Sequence, residues 1–300
     1  MNRSKKTNNT LEYSTEENRT SSIRGLLTAH GIKSSKSMGQ NFLTDPNIPA
    51  RIVKSSGIDK TCGVLEVGPG LGALTLELVK AAGHVTVVEL DKRLIPALQK
   101  IISGCENINI IQGDILKQDI KKLVGDTLPG LEPHVCANLP YNITTPALTA
   151  FIESNVFMSI TVMVQKEVAL RICAKSDTPE YGAFTVYANY HTEPQILFDV
   201  SPECFTPRPK VTSSVIRMIT REEKPLDVEK EKTFFKIVRA AFGQRRKTLV
   251  NALHAVFSNE YSKEEITRFV ESSGFDAKIR GEALSIDEFI KLTANFYHAF

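Results

Sequence analysis

The sequence predicts an α/β protein: a sheet of parallel strands with helices on both faces, followed by a small all-α domain at the carboxyl terminus. Three observations carry this. Four short β-branched and apolar runs, at residues 63–67, 85–88, 108–111 and 134–137, follow one another at regular intervals. A glycine-rich turn, Gly68-Pro69-Gly70-Leu71-Gly72, joins the first run to a helix-like stretch at 73–82, which is how a nucleotide-binding βαβ unit opens. From about Thr220 the strand patterns stop and amphipathic helical periodicity takes over. The expected organisation is a disordered tail at 1–20, an α/β unit at 21–219 and a helical unit at 220–300.

Composition sets the outer bounds. Three hundred residues suit one large domain or two unequal ones, and 42% hydrophobic with 24% charged is ordinary for a soluble globular chain. No apolar run is long enough to cross a bilayer. The amino terminus lacks the apolar core of a signal peptide and carries acids that argue against a transit peptide, so a cytoplasmic protein with no membrane partner is expected. Cys62, Cys105, Cys136, Cys173 and Cys204 are widely spaced and form no CxxC pair. That argues against a metal knuckle or a disulfide framework and for free thiols in a reducing compartment; no metal is expected.

Taken in order, residues 1–20 are polar and aperiodic. Residues 23–32 predict a short helix ending at Gly31. A loop of small and basic residues follows, with Lys33 and Lys36, and leads into Gly39-Gln40-Asn41-Phe42-Leu43. It is either a solvated linker or a lid whose lysines meet phosphate while Asn41 and Leu43 touch a cofactor. Pro46 suits the start of a helix running to about Ser56.

The strand at 63–67 runs into the glycine turn, where absent side chains let backbone approach a ligand. The strand at 85–88 ends in Glu89, about twenty residues on, where an acid accepts hydrogen bonds from ribose hydroxyls. The strand at 108–111 leads to Gly113-Asp114, a second acid suited to the exocyclic amine of an adenine. The fourth strand ends in Asn138-Leu139-Pro140-Tyr141-Asn142-Ile143. This stretch offers an amide acceptor, backbone carbonyls in a turn stiffened by Pro140, and the flat face of Tyr141. Such a set fits a planar base bearing an amine; the plain alternative is an ordinary Asn-Pro turn. Four polar groups at successive strand ends would ring one crevice. The GxGxG spacing and the absence of a Walker lysine speak against NAD and ATP, and S-adenosyl-L-methionine is the natural cofactor.

Further on, residues 159–164 predict a fifth strand. A helix carrying Arg171 and a helical span at 182–190 follow, then two more strands at 195–200 and 211–219. Between these last two lies Phe205-Thr206-Pro207-Arg208-Pro209-Lys210, a stiff loop. It is either a rigid connector or a place where Phe205 faces Tyr141 across a flipped base while Arg208 and Lys210 hold phosphate. Helices are predicted at 233–242, 248–257, 263–272 and 285–297, with Ser285 and Glu288 as a capping box. Residues 205–250 hold twelve Lys/Arg against five Asp/Glu, whereas the whole chain nets only +3. Gln244-Arg245-Arg246-Lys247 is the sharpest cluster, read as RNA-backbone contact on a helix rather than a merely solvated face.

Together these residues resemble the ribosomal RNA adenine dimethyltransferase family over roughly 25–255. The segments that carry the resemblance are GQNFL at 39–43, EVGPGLGALT at 66–75, VVELD at 87–91, GDIL at 113–116, NLPYNI at 138–143, QKEVA at 165–169, FTPRPKVTSSVI at 205–216 and FGQRRKTL at 242–249. The resemblance implies a Rossmann-like, S-adenosylmethionine-dependent methyltransferase fold. Asn41, Leu43, Gly68, Glu89, Asp114 and Asn138 would be cofactor contacts, with Glu66, Gly70 and Leu90 flanking them. Asn138, Leu139, Pro140 and Tyr141 would clamp the target adenine, with Phe205 as second stacking ring. Lys33, Lys36, Arg208, Lys210, Arg245, Arg246 and Lys247 would bind RNA. The implied reaction is N6,N6-dimethylation of two adjacent adenines near the 3′ end of 16S small-subunit rRNA. The implied setting is a monomer acting on a pre-30S particle late in small-subunit biogenesis. Two alternatives stay open at this point: a large-subunit RNA or DNA adenine methylase, and a module that only grips nucleic acid. The basic loop before Gly39 is thinner in lysine and arginine than in many members, which weakens its expected share of RNA binding.

Overall fold

A computed structural model describes Gly25 and residues 40–300 of the chain. The expected tail, the helix at 23–32, and Lys33 and Lys36 lie outside the described residues. From residue 40 onward the first elements are a two-residue strand, β1 (Phe42–Leu43), and a helix, α1 (Asn47–Ser56). Asp45 Oδ1 accepts from the Asn47 backbone N–H at 2.9 Å and caps this helix, so Pro46 sits just before it rather than within it.

A seven-stranded sheet follows. It is built from β2 (Cys62–Val67), β3 (His84–Glu89), β4 (Ile108–Gln112), β5 (Glu132–Asn138), β6 (Ser159–Gln165), β7 (Thr192–Val200) and β9 (Ser213–Thr220), in the order β4-β3-β2-β5-β6-β9-β7. β4, β3, β2, β5 and β6 are parallel; β9 is antiparallel to both β6 and β7. The helices between them are α2 (Ala73–Ala81), α3 (Ile95–Ile101), α4 (Ile120–Thr127), α5 (Thr144–Ser154), α6 (Lys166–Ile172) and α7 (Ala183–His191). A two-residue strand, β8 (Phe205–Thr206), pairs antiparallel with β1.

The helices α3, α4 and α5 were not anticipated. α3 and α5 carry Pro96 and Pro146 in their first turn, where a missing N–H costs nothing. In sequence the same prolines look like breakers.

Every residue of β2 is buried, as expected of a central parallel strand covered on both faces. Side chains alternate between two cores. Leu65, Val67, Val135 and Ala137 face Leu148, Phe151 and Ile160 on one side, while Val64, Val85, Val87 and Cys136 face Ile52, Leu74 and Leu78 on the other. The cysteines are all free, and Cys62 and Cys136 are buried.

Beyond the sheet lie α8 (Val228–Gly243), α9 (Leu249–Phe257), α10 (Lys263–Ser272) and α11 (Ile286–Ala299). The Ser285–Glu288 capping box is present. Val186 and Tyr190 share a core with Phe234, Val238 and Phe289 while Ala188, Phe184 and Tyr187 pack on the sheet core, so α7 bridges the sheet and the helical unit. Gln244–Lys247 is not helical. Gly243 closes α8, Thr248 caps α9 by accepting from the Asn251 N–H at 3.3 Å, and the four residues form the turn between.

Candidate active site

The strand order reverses between β2 and β5, and open α/β sheets hold ligands beyond the carboxyl ends of their strands at such a reversal. A cavity of about 570 Å³ lies there, of the size small-molecule sites occupy. Nine residues expected from the sequence line it together: Asn41, Leu43, Gly68, Glu89, Asp114, Asn138, Leu139, Pro140 and Tyr141.

The glycine turn forms its floor. Gly68 and Gly70 have φ of +67° and +59°, a region that side-chain-bearing residues rarely adopt. A Cβ on Gly68 would come within 3.4 Å of the Pro140 ring, and one on Gly70 within 3.2 Å of the Phe42 ring. The turn therefore lets the Asn-Leu-Pro-Tyr edge close on it from one side and the 40–44 segment from the other.

Five acids line the cavity, Asp45, Glu66, Glu77, Glu89 and Asp114, and the last two with Glu66 stand at or near strand ends. Glu89 is 5% exposed, and burial pushes its carboxyl up while the Asp91 and Gly70 backbone N–H groups, at 2.8 and 3.3 Å, pull the other way. A carboxylate has about four acceptor positions, so roughly half its capacity remains for ligand hydroxyls. Asp114 accepts from the Leu116 N–H at 3.1 Å, which fixes its side chain at the end of β4. Glu66 is 1% exposed and takes the Thr75 hydroxyl at 2.6 Å; burial pushes it up to about 8.

Asn138 stands where β5 ends. Its Nδ2 donates to the Asn41 carbonyl at 3.4 Å. That contact sets the amide orientation and leaves Oδ1 as an acceptor with no donor among the described residues. The next residue supplies a second acceptor. The Leu139 N–H donates to Met163 O at 3.3 Å, but the Leu139 carbonyl receives no hydrogen bond among the described residues. The Pro140 carbonyl, by contrast, is used by the Ile143 N–H and the Thr144 hydroxyl. The Tyr141 hydroxyl sits 2.7 Å from Ser213 Oγ at the start of β9, which locks the ring, and burial pushes the phenol up.

Other expected site residues lie elsewhere. Phe205 is 3% exposed and packs in the core with its cross-strand partner Leu43; it does not line the cavity. A two-residue strand leaves its alternate side chains no choice of face. Leu43 and Phe205 share one face of the ribbon and Phe42 takes the other; Leu43 also reaches the cavity wall, whereas Phe205 packs in the core. Arg208 and Lys210 follow β8 directly and are exposed, and Arg208 pairs with Glu203. Arg245 is also exposed but is tethered to the protein, donating from Nη2 to the Tyr181 carbonyl at 2.9 Å and from Nε to Glu282 at 3.4 Å. Arg246 and Lys247 are exposed on the same turn.

Some residues were missed. Asp91 is 4% exposed; the Arg93 guanidinium, with help from Gln40 at 3.1 Å, holds it down to about 2. This contact anchors the 40–44 segment to the end of β3. Leu116, 40% exposed at the cavity rim, was missed as well, whereas Leu90, 55% exposed on the same rim, was expected to flank the pocket; both are apolar faces for a flat ring. Their signal was in the sequence: an exposed leucine just after, or two residues after, a strand-end acid.

A turn of glycines in left-handed backbone, with acids at the ends of the next two strands, fits a nucleoside carrying an amino-acid tail. This architecture and crevice make the protein a Rossmann-like methyltransferase of the S-adenosylmethionine-dependent kind. The family can also be specified. The model of the ribosomal RNA adenine dimethylase family matches residues 31–292. A "Ribosomal RNA small subunit methyltransferase A" of Shouchella clausii is 43% identical over 274 residues, covering 91% of this chain and 93% of that one. Its namesake from Staphylococcus epidermidis is 44% identical over 275 residues, with 91% and 93% covered. Among solved structures, a dimethyladenosine transferase from Plasmodium falciparum aligns with a TM-score of 0.74 at 24% identity, covering 86% of this chain and 98% of that one. The 23S rRNA methyltransferase ErmE aligns with 0.67 at 26%, covering 85% and 98%. The chain belongs to the ribosomal RNA adenine dimethylase family.

Proposed function

We propose that the crevice binds S-adenosyl-L-methionine and that the Asn138–Tyr141 edge presents an adenine of small-subunit rRNA for N6,N6-dimethylation. The observation that carries this is a pair of adjacent acceptors with no donor among the described residues, Asn138 Oδ1 and the Leu139 carbonyl, at the rim of a nucleoside-shaped cavity. Glu89 and Asp114 would hold the adenosine, the Gly68–Gly70 backbone the amino-acid tail, and Asn41 and Leu43 would cover it. When bound, the cofactor supplies a methyl group on a positively charged sulfur that is already a good leaving group.

The chain's own task is to make a poor nucleophile reactive. An adenine amine donates its lone pair into the ring. Asn138 Oδ1 and the Leu139 carbonyl can accept its two hydrogens, which favours a pyramidal nitrogen with the lone pair directed at the methyl. Positive charge grows on that nitrogen as the bond forms, and the two carbonyl dipoles and the Tyr141 face stabilise it. No strong general base is called for, and positioning supplies much of the rest. After one transfer the base has lost a donor, so the second transfer uses one of the two acceptors.

Arg208, Lys210, Arg246 and Lys247 are the exposed cations suited to the phosphate backbone; Lys33 and Lys36 belong to the same set. A monomer working in the cytoplasm on a late pre-30S particle is the setting this reading implies. The test is methyl transfer from labelled cofactor to small subunits from cells lacking the gene, with large subunits alongside. Two adjacent dimethyladenines near the 3′ end of the small-subunit RNA are expected. Label confined to the large subunit would replace this reading with the activity named for ErmE.

A further inference from the structure

The opposite end of the sheet holds a second cluster that methyl transfer does not use. Cys62 opens β2, and Glu132 and His134 lie in the first half of β5. The strands pair with Cys62 beside Glu132 and Val64 beside His134. Strand side chains alternate with a period of two, so residues 62, 132 and 134 share one face. Their donor atoms, Cys62 Sγ, a Glu132 carboxylate oxygen and a His134 ring nitrogen, all lie within 4.8 Å of one another. Asp59 Oδ1 is 3.7 Å from Cys62 Sγ.

We propose that Cys62, Glu132 and His134 form a three-residue binding site for one divalent cation of the zinc class, with water as fourth ligand; Asp59 Oδ1 is taken by the Thr61 N–H and hydroxyl. The decisive group is His134. It is 8% exposed, its Nδ1 lies 2.8 Å from Ser159 Oγ, and its Nε2 is buried with no hydrogen-bond partner. Buried polar atoms are rarely left unmatched, and one that is calls for a cause. A ligating histidine commonly gives its other ring N–H to a nearby acceptor, which fixes the ring and aims the free nitrogen at the metal. Ser159 is placed to be that acceptor.

The donor types select the metal. One thiolate, one imidazole and carboxylate oxygens suit zinc rather than calcium or magnesium, which take oxygen alone. Ligands at about 2.0–2.3 Å around a tetrahedral ion lie roughly 3.5 Å from one another. From separations of up to 4.8 Å the three donor atoms need to close by about 1.3 Å at most, which the exposed Glu132 side chain can supply. Charge also closes. A thiolate and the Glu132 carboxylate balance a dication, beside the Arg217 guanidinium, whose Nε is buried without a hydrogen-bond partner. A redox role for Cys62 is the weaker account, because its thiol is 3% exposed and burial pushes it up.

The site would clip the start of β2 to the start of β5, at the sheet end away from the methyl-transfer crevice. The test uses the full chain, stripped with chelator and desalted, then titrated with Co2+ and back-titrated with Zn2+. One equivalent of Co2+ is expected, with a thiolate-to-metal absorption band in the near ultraviolet that Zn2+ removes. Cys62→Ser should abolish the band and Cys105→Ser should keep it. Glu132→Gln, at an exposed position that folding does not depend on, should weaken Zn2+ binding at least tenfold and reduce the rise in melting temperature that Zn2+ gives. If Cys62→Ser does not fold, Glu132→Gln decides alone. No stoichiometric uptake, a band surviving Cys62→Ser, or an affinity unchanged in Glu132→Gln would each overturn the site.

Discussion

The two ends of the same sheet differ in how they were assembled. At the carboxyl end, each functional group sits in a contiguous motif: the glycine turn after β2, Glu89 after β3, Asp114 after β4, Asn138 to Tyr141 after β5. At the amino end, Cys62, Glu132 and His134 come from strand starts about seventy residues apart and meet only through register. The first kind of site is written along the chain. The second is written across it. Variants at the two ends should therefore separate cleanly, those at the carboxyl end changing turnover and those at the amino end changing metal uptake.

The largest effect is expected from Asn138→Ala. It removes one of two acceptors at the reacting nitrogen, and loss of one preorganised polar contact of this kind costs about 10²–10³-fold in turnover. Cofactor affinity, measured by calorimetry, should stay close to that of the unaltered protein, because Glu89, Asp114 and the glycine turn are untouched. Asn138→Asp sharpens the point. Like Asn138→Ala it loses the Nδ2 donor, and in addition it keeps an acceptor while setting a carboxylate against the Asn41 carbonyl, so its cofactor affinity should fall below that of Asn138→Ala. Unchanged turnover in both would remove Asn138 from the chemistry.

Glu66 gives the next largest effect, on stability rather than rate. Its ordinary value near 4.5 is raised to about 8 in the fold, chiefly by burial. Between those values the folded state holds a proton that the unfolded chain has released, so stability falls as pH rises from about 4.5 to about 8 and is level outside that window. Glu66→Gln keeps an acceptor for the Thr75 hydroxyl and removes the titration. Its unfolding free energy should match the unaltered protein's near pH 4. Near pH 8 it should exceed it by a few kcal/mol, since each pH unit crossed in the window costs the unaltered protein at most about 1.4 kcal/mol. Parallel curves for the two proteins in chemical denaturation would refute the assignment.

How much of this was legible follows from particular residues. The strand ends, the glycine turn and the capping boxes depend on neighbours a few positions apart, and nine of the expected site residues do line one cavity. The burial of Phe205 was not legible because a two-residue strand gives no periodicity from which to choose a face; only its pairing with Leu43 shows it. The Gln244–Lys247 cluster looked helical because no residue in it breaks a helix, yet Gly243 and Thr248 end and restart the chain's helices on either side. In the sequence Asp91 carries no role of its own. Only the fold shows that Arg93 and Gln40 hold it as an anchor.

That turn supplies a smaller, sharper comparison. Arg245, Arg246 and Lys247 are all exposed, and Arg245 is tethered to the Tyr181 carbonyl and Glu282. Arg246→Glu with Lys247→Glu should weaken RNA binding and lower the slope of log affinity against log salt by up to about 1.8, near 0.9 for each phosphate contact. Arg245→Ala should lower the melting temperature and leave that slope nearly unchanged. If the three cations behaved alike in both measurements, the distinction drawn from their contacts would fail.

The smallest effect is expected at Tyr141. Two features of this side chain can be separated: the ring face that meets the base, and the hydroxyl 2.7 Å from Ser213 Oγ that fixes the ring. Tyr141→Phe keeps the face and loses a hydrogen bond worth about 1 kcal/mol, leaving Ser213, itself fully buried, without that partner. Turnover should drop only several-fold, with cofactor affinity unchanged, because the ring is freed rather than removed. Tyr141→Ala should cost far more. The ratio of the two, read from single-turnover methylation of small subunits, measures how much of the tyrosine's contribution is stacking and how much is restraint. Equal losses would mean the hydroxyl bond to β9, and not the aromatic face, is what the carboxyl end of the sheet needs from this residue.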